Sequence, residues 1–145
     1  MTINLSTTQT IVFLEILQIL RNDKNKIARK KIYELHIDKK LDNMKSLDES
    51  TKLIINQLNG DFDEIGYLSQ EFNISDSLFG LYSDTIRRVW IALQNNIKKE
   101  KNERKKNDPV SNQFGNHFRK LAFEAKKYRD KNNLKEPGFT DLRNL

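Results

Sequence analysis

Between residues 62 and 90 the chain reads FDEIGYLSQEFNISDSLFGLYSDTIRRVW, and no other stretch constrains its folding as much. Nearly half of the aromatic side chains fall in it. Its large apolar residues recur every three or four positions, the period of a helix face rather than of a strand. The segment is acidic and sits between two basic ones, so it reads as the centre of a domain with charged margins. Nothing in it is recognisably catalytic.

The neighbouring segments extend the helical pattern. Ser6 and Gln9 have capping-box spacing, which starts a first helix near Thr7 and carries it to about Asn22. That helix is apolar nearly all round, with only Glu15, Gln18 and Asn22 as a polar strip, so it is expected in the core or at an interface. A second, amphipathic helix is expected over about residues 26–41, where Ile27, Ala28, Ile32 and Leu35 alternate with Arg29, Lys30 and Lys31. Ser46 and Glu49 repeat the capping-box spacing and open a third helix. Leu58, Phe62, Ile65 and Phe72 keep helical spacing across Asn59-Gly60, which favours a helix, kinked if anything, over a hairpin turn.

Asn73 is a left-handed stop, and Ser75 or Asp76 is the expected cap of a long fourth helix carrying Leu78, Tyr82, Ile86, Val89, Leu93 and Ile97. Residues 98–110 read as its charged end or as a linker, closed by Pro109. A fifth helix, about residues 112–132, carries Phe114, Phe118, Leu121, Ala125 and Tyr128. The tail, 134–145, reads as frayed or docking. The expected fold is all-α: a single compact bundle of about five helices over residues 1–145, packed around helices 1, 3 and 4, with helix 5 closing one side.

At 145 residues, one core is expected. The chain has no cysteine, hence no disulfide framework, thiolate metal site or thiol nucleophile. Its longest apolar run, residues 10–20, is about half of what a membrane span needs, and no signal-peptide pattern precedes it. A soluble, cytoplasmic protein is therefore expected.

The net charge of +6 is unevenly spread. Residues 21–45 hold nine Lys or Arg against four acids and residues 98–135 hold thirteen against five, whereas residues 46–97 hold three against eight. Such polarity fits an anionic partner at the basic blocks, or neutralisation within the fold or between protomers.

No pattern of catalytic residues survives inspection. Asn59, Asp61 and Asp63 stand at positions 1, 3 and 5 of a calcium loop, but Glu64 replaces the required glycine and Gln70 the closing carboxylate. These acids read instead as a solvated helix face. The 65–81 segment imitates a helix-turn-helix, yet its second helix would offer Asp76, Ser77 and Asp84 to the bases. His36 and His117 lack partners at metal-binding spacing, and neither a glycine-rich phosphate loop nor a GxSxG elbow occurs. Asp84 is placed to pair with Arg87 and Arg88 along the helix, and Tyr82 and Trp90 fall on its apolar stripe, as core residues would. No enzyme activity, metal or cofactor is expected. The electrostatic candidate is the basic face of helix 5, comprising Arg119, Lys120, Lys126, Lys127, Arg129 and Lys131, together with the lysines of 98–106.

The segments ARKKIYEL (28–35), DFDEIGYL (61–68) and LYSDTIRRVWIALQNNI (81–97) resemble the family called domain of unknown function 4760, over about residues 11–130. The resemblance implies a helical fold and transfers no catalytic residue. Members often carry an N-terminal hydrophobic anchor, from which this chain departs at Glu15 and Gln18. The expected role is a non-enzymatic protein-interaction or self-association module, its partner another protein or a second copy engaged through helix 1. The alternative is nucleic-acid binding through the basic C-terminal third. Peripheral membrane contact by helix 1, beside Arg21, Lys24 and Lys26, ranks last.

Overall fold

Five α-helices and one 3-10 turn make up the regular structure of the computed structural model, which describes residues 4–108 and 113–139. They are α1 (Thr7–Arg21), α2 (Asp23–Ile37), a 3-10 turn (Met44–Ser46), α3 (Glu49–Glu71), α4 (Ser75–Asn107) and α5 (Asn116–Lys131). There is no strand among the described residues, and the fold is an all-α bundle.

The ends of the helices follow from local chemistry. At α1 the capping box forms: Ser6 Oγ accepts from Gln9 N–H at 3.1 Å, and Gln9 Oε1 accepts from Ser6 N–H at 2.9 Å. The same glutamine donates through Nε2 to Phe72 O at 3.0 Å, tying the start of α1 to the end of α3. Asn22 ends α1 and immediately caps α2, accepting from Lys24 N–H at 2.8 Å, so α2 begins three residues before the position expected from its apolar pattern.

The cap of α3 is Asp48 rather than Ser46. Asp48 Oδ1 accepts from Thr51 N–H at 2.8 Å, while Ser46 stays in the 3-10 turn and donates to Asn43 O. A carboxylate adds favourable interaction with the helix dipole to the hydrogen bond, which a hydroxyl cannot match. Hydrogen bonding with Thr51 holds the Asp48 carboxyl below the usual carboxylate range.

As expected, α3 runs unbroken through Asn59-Gly60 and stops at Asn73, which is left-handed (φ 54°). Ile74 N–H then bonds to Ser69 O and Asn73 N–H to Gln70 O, the paired bonds of a Schellman motif. Lys39 and Asn133 end α2 and α5 in the same way. The expected cap at Ser75 or Asp76 does not form. The residue in the cap position is Ile74, which is buried, and Ser75 Oγ donates back to Ser69 O instead.

Residues 98–107 are the helical end of α4, not a linker, and Pro109 lies outside the described residues. The start of helix 5 expected near 112 falls at Asn116, behind the left-handed Gly115 (φ 72°), and Phe114 is in the preceding turn.

The core joins Leu58, Phe62 and Ile65 of α3 to Ile86, Val89 and Leu93 of α4 and to Phe118, Leu121 and Ala125 of α5. α5 packs chiefly on α3 and α4 and so closes one side of the bundle, as expected, while α3 touches all four other helices and is the central one. Phe62 stacks on Phe118 with centroids 5.1 Å apart, and Trp90 meets Phe118 edge-on at 5.2 Å. Conversely, α1 is an outer helix. It buries Val12, Ile16, Leu17 and Leu20 but leaves Ile11 and Leu14 more than half exposed. Arg29, which reads as part of a basic face, is buried and donates to Leu20 O at 2.7 Å, satisfying a carbonyl at the end of α1.

The tail is docked as far as it is described. Arg88 donates to Gly138 O, and the Phe139 ring lies against Tyr33 and His36. No helix among the described residues is long and apolar enough to cross a membrane.

Two glycines of α3 separate packing from propensity. A Cβ on Gly66 would stand 2.4 Å from His117 O, a backbone atom of α5, whereas one on Gly60 would meet nothing within 4 Å. Gly66→Ala is expected to destabilise the fold by about 1–3 kcal/mol through overpacking. Gly60→Ala is expected to stabilise it by about 1 kcal/mol through helix propensity. Urea-unfolding midpoints of the two variants should move in opposite directions.

Candidate functional site

Asp63 determines where α5 begins. Gly115 has no side chain to cap the helix, and Asp63 Oδ1 of α3 accepts from Phe118 N–H at 2.9 Å in its place. Asp61 is likewise engaged, accepting from Asn25 Nδ2 at 2.8 Å. Two of the three acids that read as a solvated face therefore work inside the fold, and only Glu64 is exposed. Asn59 is buried in the same continuous helix, so the three residues do not converge as calcium ligands would.

With α5 set against α3 by this cap, its other flank meets α4. The two helices run antiparallel, since Lys101 meets Asn116 while Arg87 reaches Ala122. Between them is a groove of about 690 Å³. Its α4 wall is Arg87, Trp90, Gln94 and Lys101, and its α5 wall is Asn116, Arg119, Lys120 and Phe123. There is no carboxylate among these residues. Four other cavities each have an acid in their lining: Glu100, Asp84 with Glu136, Asp76 with Glu124, and Asp61.

The cations of the groove are held in different ways. Arg87 is buried and fixed: Nε and Nη2 grip the Glu136 carboxylate at 2.7 and 2.9 Å, and Nη1 donates to Ala122 O at 3.1 Å. The Arg87 hydrogen bonds in turn hold the Glu136 carboxyl below the usual carboxylate range. Asp84 pairs with Arg88 alone, at 3.2 Å. Lys101 donates to Asn116 Oδ1. Burial, and then repulsion from Lys105 and Arg119, push the Lys101 ammonium below its ordinary pKa. Such crowding of like charge is relieved when an anion enters.

The six basic residues singled out on helix 5 do not form one surface. Arg119 and Lys120 line the groove. Lys127 and Lys131, with Lys120, border a second depression that also holds Asp76 and Glu124. Lys126 pairs with Asp130 at 3.3 Å. Arg129 is turned inward, its guanidinium donating to Ser83 Oγ and to Lys135 O. Arg129 is thus a structural arginine that joins α5, α4 and the tail.

Sequence reasoning missed Arg87, Trp90, Gln94 and Phe123. A signal existed: residues 87, 90, 94, 98, 101 and 105 follow three- and four-residue steps, one position displaced from the core stripe of α4. Trp90 borders both core and groove and is only partly buried, and Tyr82 is also partly exposed, its hydroxyl accepting from Arg21 Nε. The histidines are apart, His117 edge-on to Tyr67 and His36 beside Phe139. No group of three metal-ligating side chains converges among the described residues.

Glu136 predicts how the tail responds to acid. Its pKa is lower folded than unfolded, so its contribution is full above the ordinary glutamate pKa and is lost as pH falls through the depressed one. The Tyr33 ring-proton shifts caused by Phe139 are expected to persist at neutral pH and to collapse at acid pH. In Glu136→Gln they should be weakened already at neutral pH, as NMR would show. No family model matches this chain, and no curated protein or solved structure does either.

Proposed function

We propose that this protein is a non-enzymatic nucleic-acid-binding module that takes phosphates into the α4–α5 groove on Lys101, Arg119 and Lys120. The observation that carries this reading is the contrast among cavities. Unlike four other cavities of the molecule, the groove joins several cations with no acid in its walls. Arg87 is neutralised by Glu136, which leaves the other three cations to attract an anion. The cationic flank continues along α4 through Lys98 and Lys105. From residue 87 to residue 105 it is about 27 Å long at 1.5 Å per residue, enough to follow several phosphates.

Self-association through α1 has less support. Its outward face exposes Ile11 and Leu14, but Thr7, Thr10, Glu15 and Gln18 surround them, and two aliphatic side chains make a small patch. The family resemblance implies helices and no activity, so the reading rests on the groove.

Fluorescence anisotropy with labelled DNA and RNA tests it. Binding should be evident at about 50 mM salt and fall steeply by about 200 mM, as counterion release requires. Combining Lys101→Gln, Arg119→Gln and Lys120→Gln should shallow the salt dependence by roughly one unit of log–log slope per charge, with the helical circular dichroism unchanged. No binding at low salt, unchanged affinity in the triple variant, or a preference for phosphatidylserine vesicles would overturn the reading.

A further inference from the structure

A cationic groove that serves only to neutralise phosphates needs no aromatic surface, yet this one has two. Phe123 projects from the α5 wall and is 56% exposed, although an aromatic side chain of this size is usually kept from water. Trp90 stands in the α4 wall, held by its edge-on contact with Phe118. The Lys127 ammonium stands over one face of the Phe123 ring, 4.7 Å from its centroid. Arg119 and Lys120 precede Phe123 by one turn of the helix.

Duplex and single strand differ in what they offer to such a surface. A duplex keeps its bases stacked inside and presents phosphate and sugar, so a phenyl ring set among cations gains no partner from it. A single strand presents unpaired bases between its phosphates, and any base stacks on an aromatic face whatever its identity. Alternation of cations and rings is the arrangement that satisfies both parts of a single strand.

We infer that the groove selects single-stranded nucleic acid, with a base stacked on Phe123 beside Trp90 and the flanking phosphates on Arg119 and Lys120. This rests on the nucleic-acid reading above and names its substrate class. Trp90 is the sole tryptophan, so its emission reports directly on the groove.

The test compares a labelled oligo(dT) and oligo(U) of about twelve nucleotides with a duplex of equal length at about 50 mM salt. The single strands should bind roughly ten-fold or more tightly than the duplex and quench Trp90 emission. Phe123→Leu keeps an apolar side chain but removes the ring. It should weaken single-strand binding about ten-fold and leave duplex affinity unchanged, while Phe123→Tyr retains binding. Melting temperature checks that both variants remain folded. Duplex binding as tight as single-strand binding, or Phe123→Leu at wild-type affinity, would overturn the single-strand inference and leave the groove reading standing. Failure of every probe to bind at low salt would overturn the groove reading itself, and this inference with it.

Discussion

The close seam between α3 and α5 is the constraint on which the rest of the molecule depends. Gly66 lets the backbone of α3 approach the backbone of α5 at His117 more closely than any side chain would permit. One turn away, Phe62 stacks on Phe118, and Asp63 takes up the Phe118 N–H that Gly115 leaves uncapped. Apolar burial drives the contact, but it is non-directional and would tolerate a sliding helix. The glycine and the carboxylate supply direction: one sets the distance, the other the register.

The groove inherits its geometry from that seam. Once α5 is fixed on α3, its opposite flank reaches α4 with Asn116 beside Lys101 and Ala122 beside Arg87. Arg87 then fastens the lower end by binding both α5 and the tail, and Arg129 does the same from the α5 side through Ser83 and Lys135. Arg87, buried and with each guanidinium nitrogen engaged, resists rearrangement, because breaking its contact with Glu136 leaves a buried charge unpaired. The cations of the groove wall, in contrast, meet no carboxylate across it.

Much of the fold was legible in the sequence because it depends on neighbours along the chain. The α1 capping box, the passage of α3 through Asn59-Gly60, the left-handed stop at Asn73 and the stripe of α4 are local patterns, and each stands where it was expected. The errors arose where two local solutions competed. Ser46 and Asp48 both qualify as caps by residue type, and Ser75 lost its role because burial of Ile74 decided the turn. The α1 helix looked central by its apolarity, but it packs on α2 and α3 only and its outer face is left uncovered, because α3 holds the central position. Of the basic residues chosen on helix 5, Arg119 and Lys120 reach the groove, while Arg129 is spent on structure.

The sequence alone determined the secondary structure: helical periodicity, caps and stops are set by residues within about four positions of one another. It also determined that the C-terminal third is basic. Which of those charges face an acid and which face a groove was decided only by the tertiary structure. Arg87 meets Glu136 across 49 residues, and Asp63 meets Phe118 across 55. The charge of a residue is a property of its type, but its neutralisation depends on what lies within a few ångströms in space, and such distances arise only when α3, α4 and α5 pack.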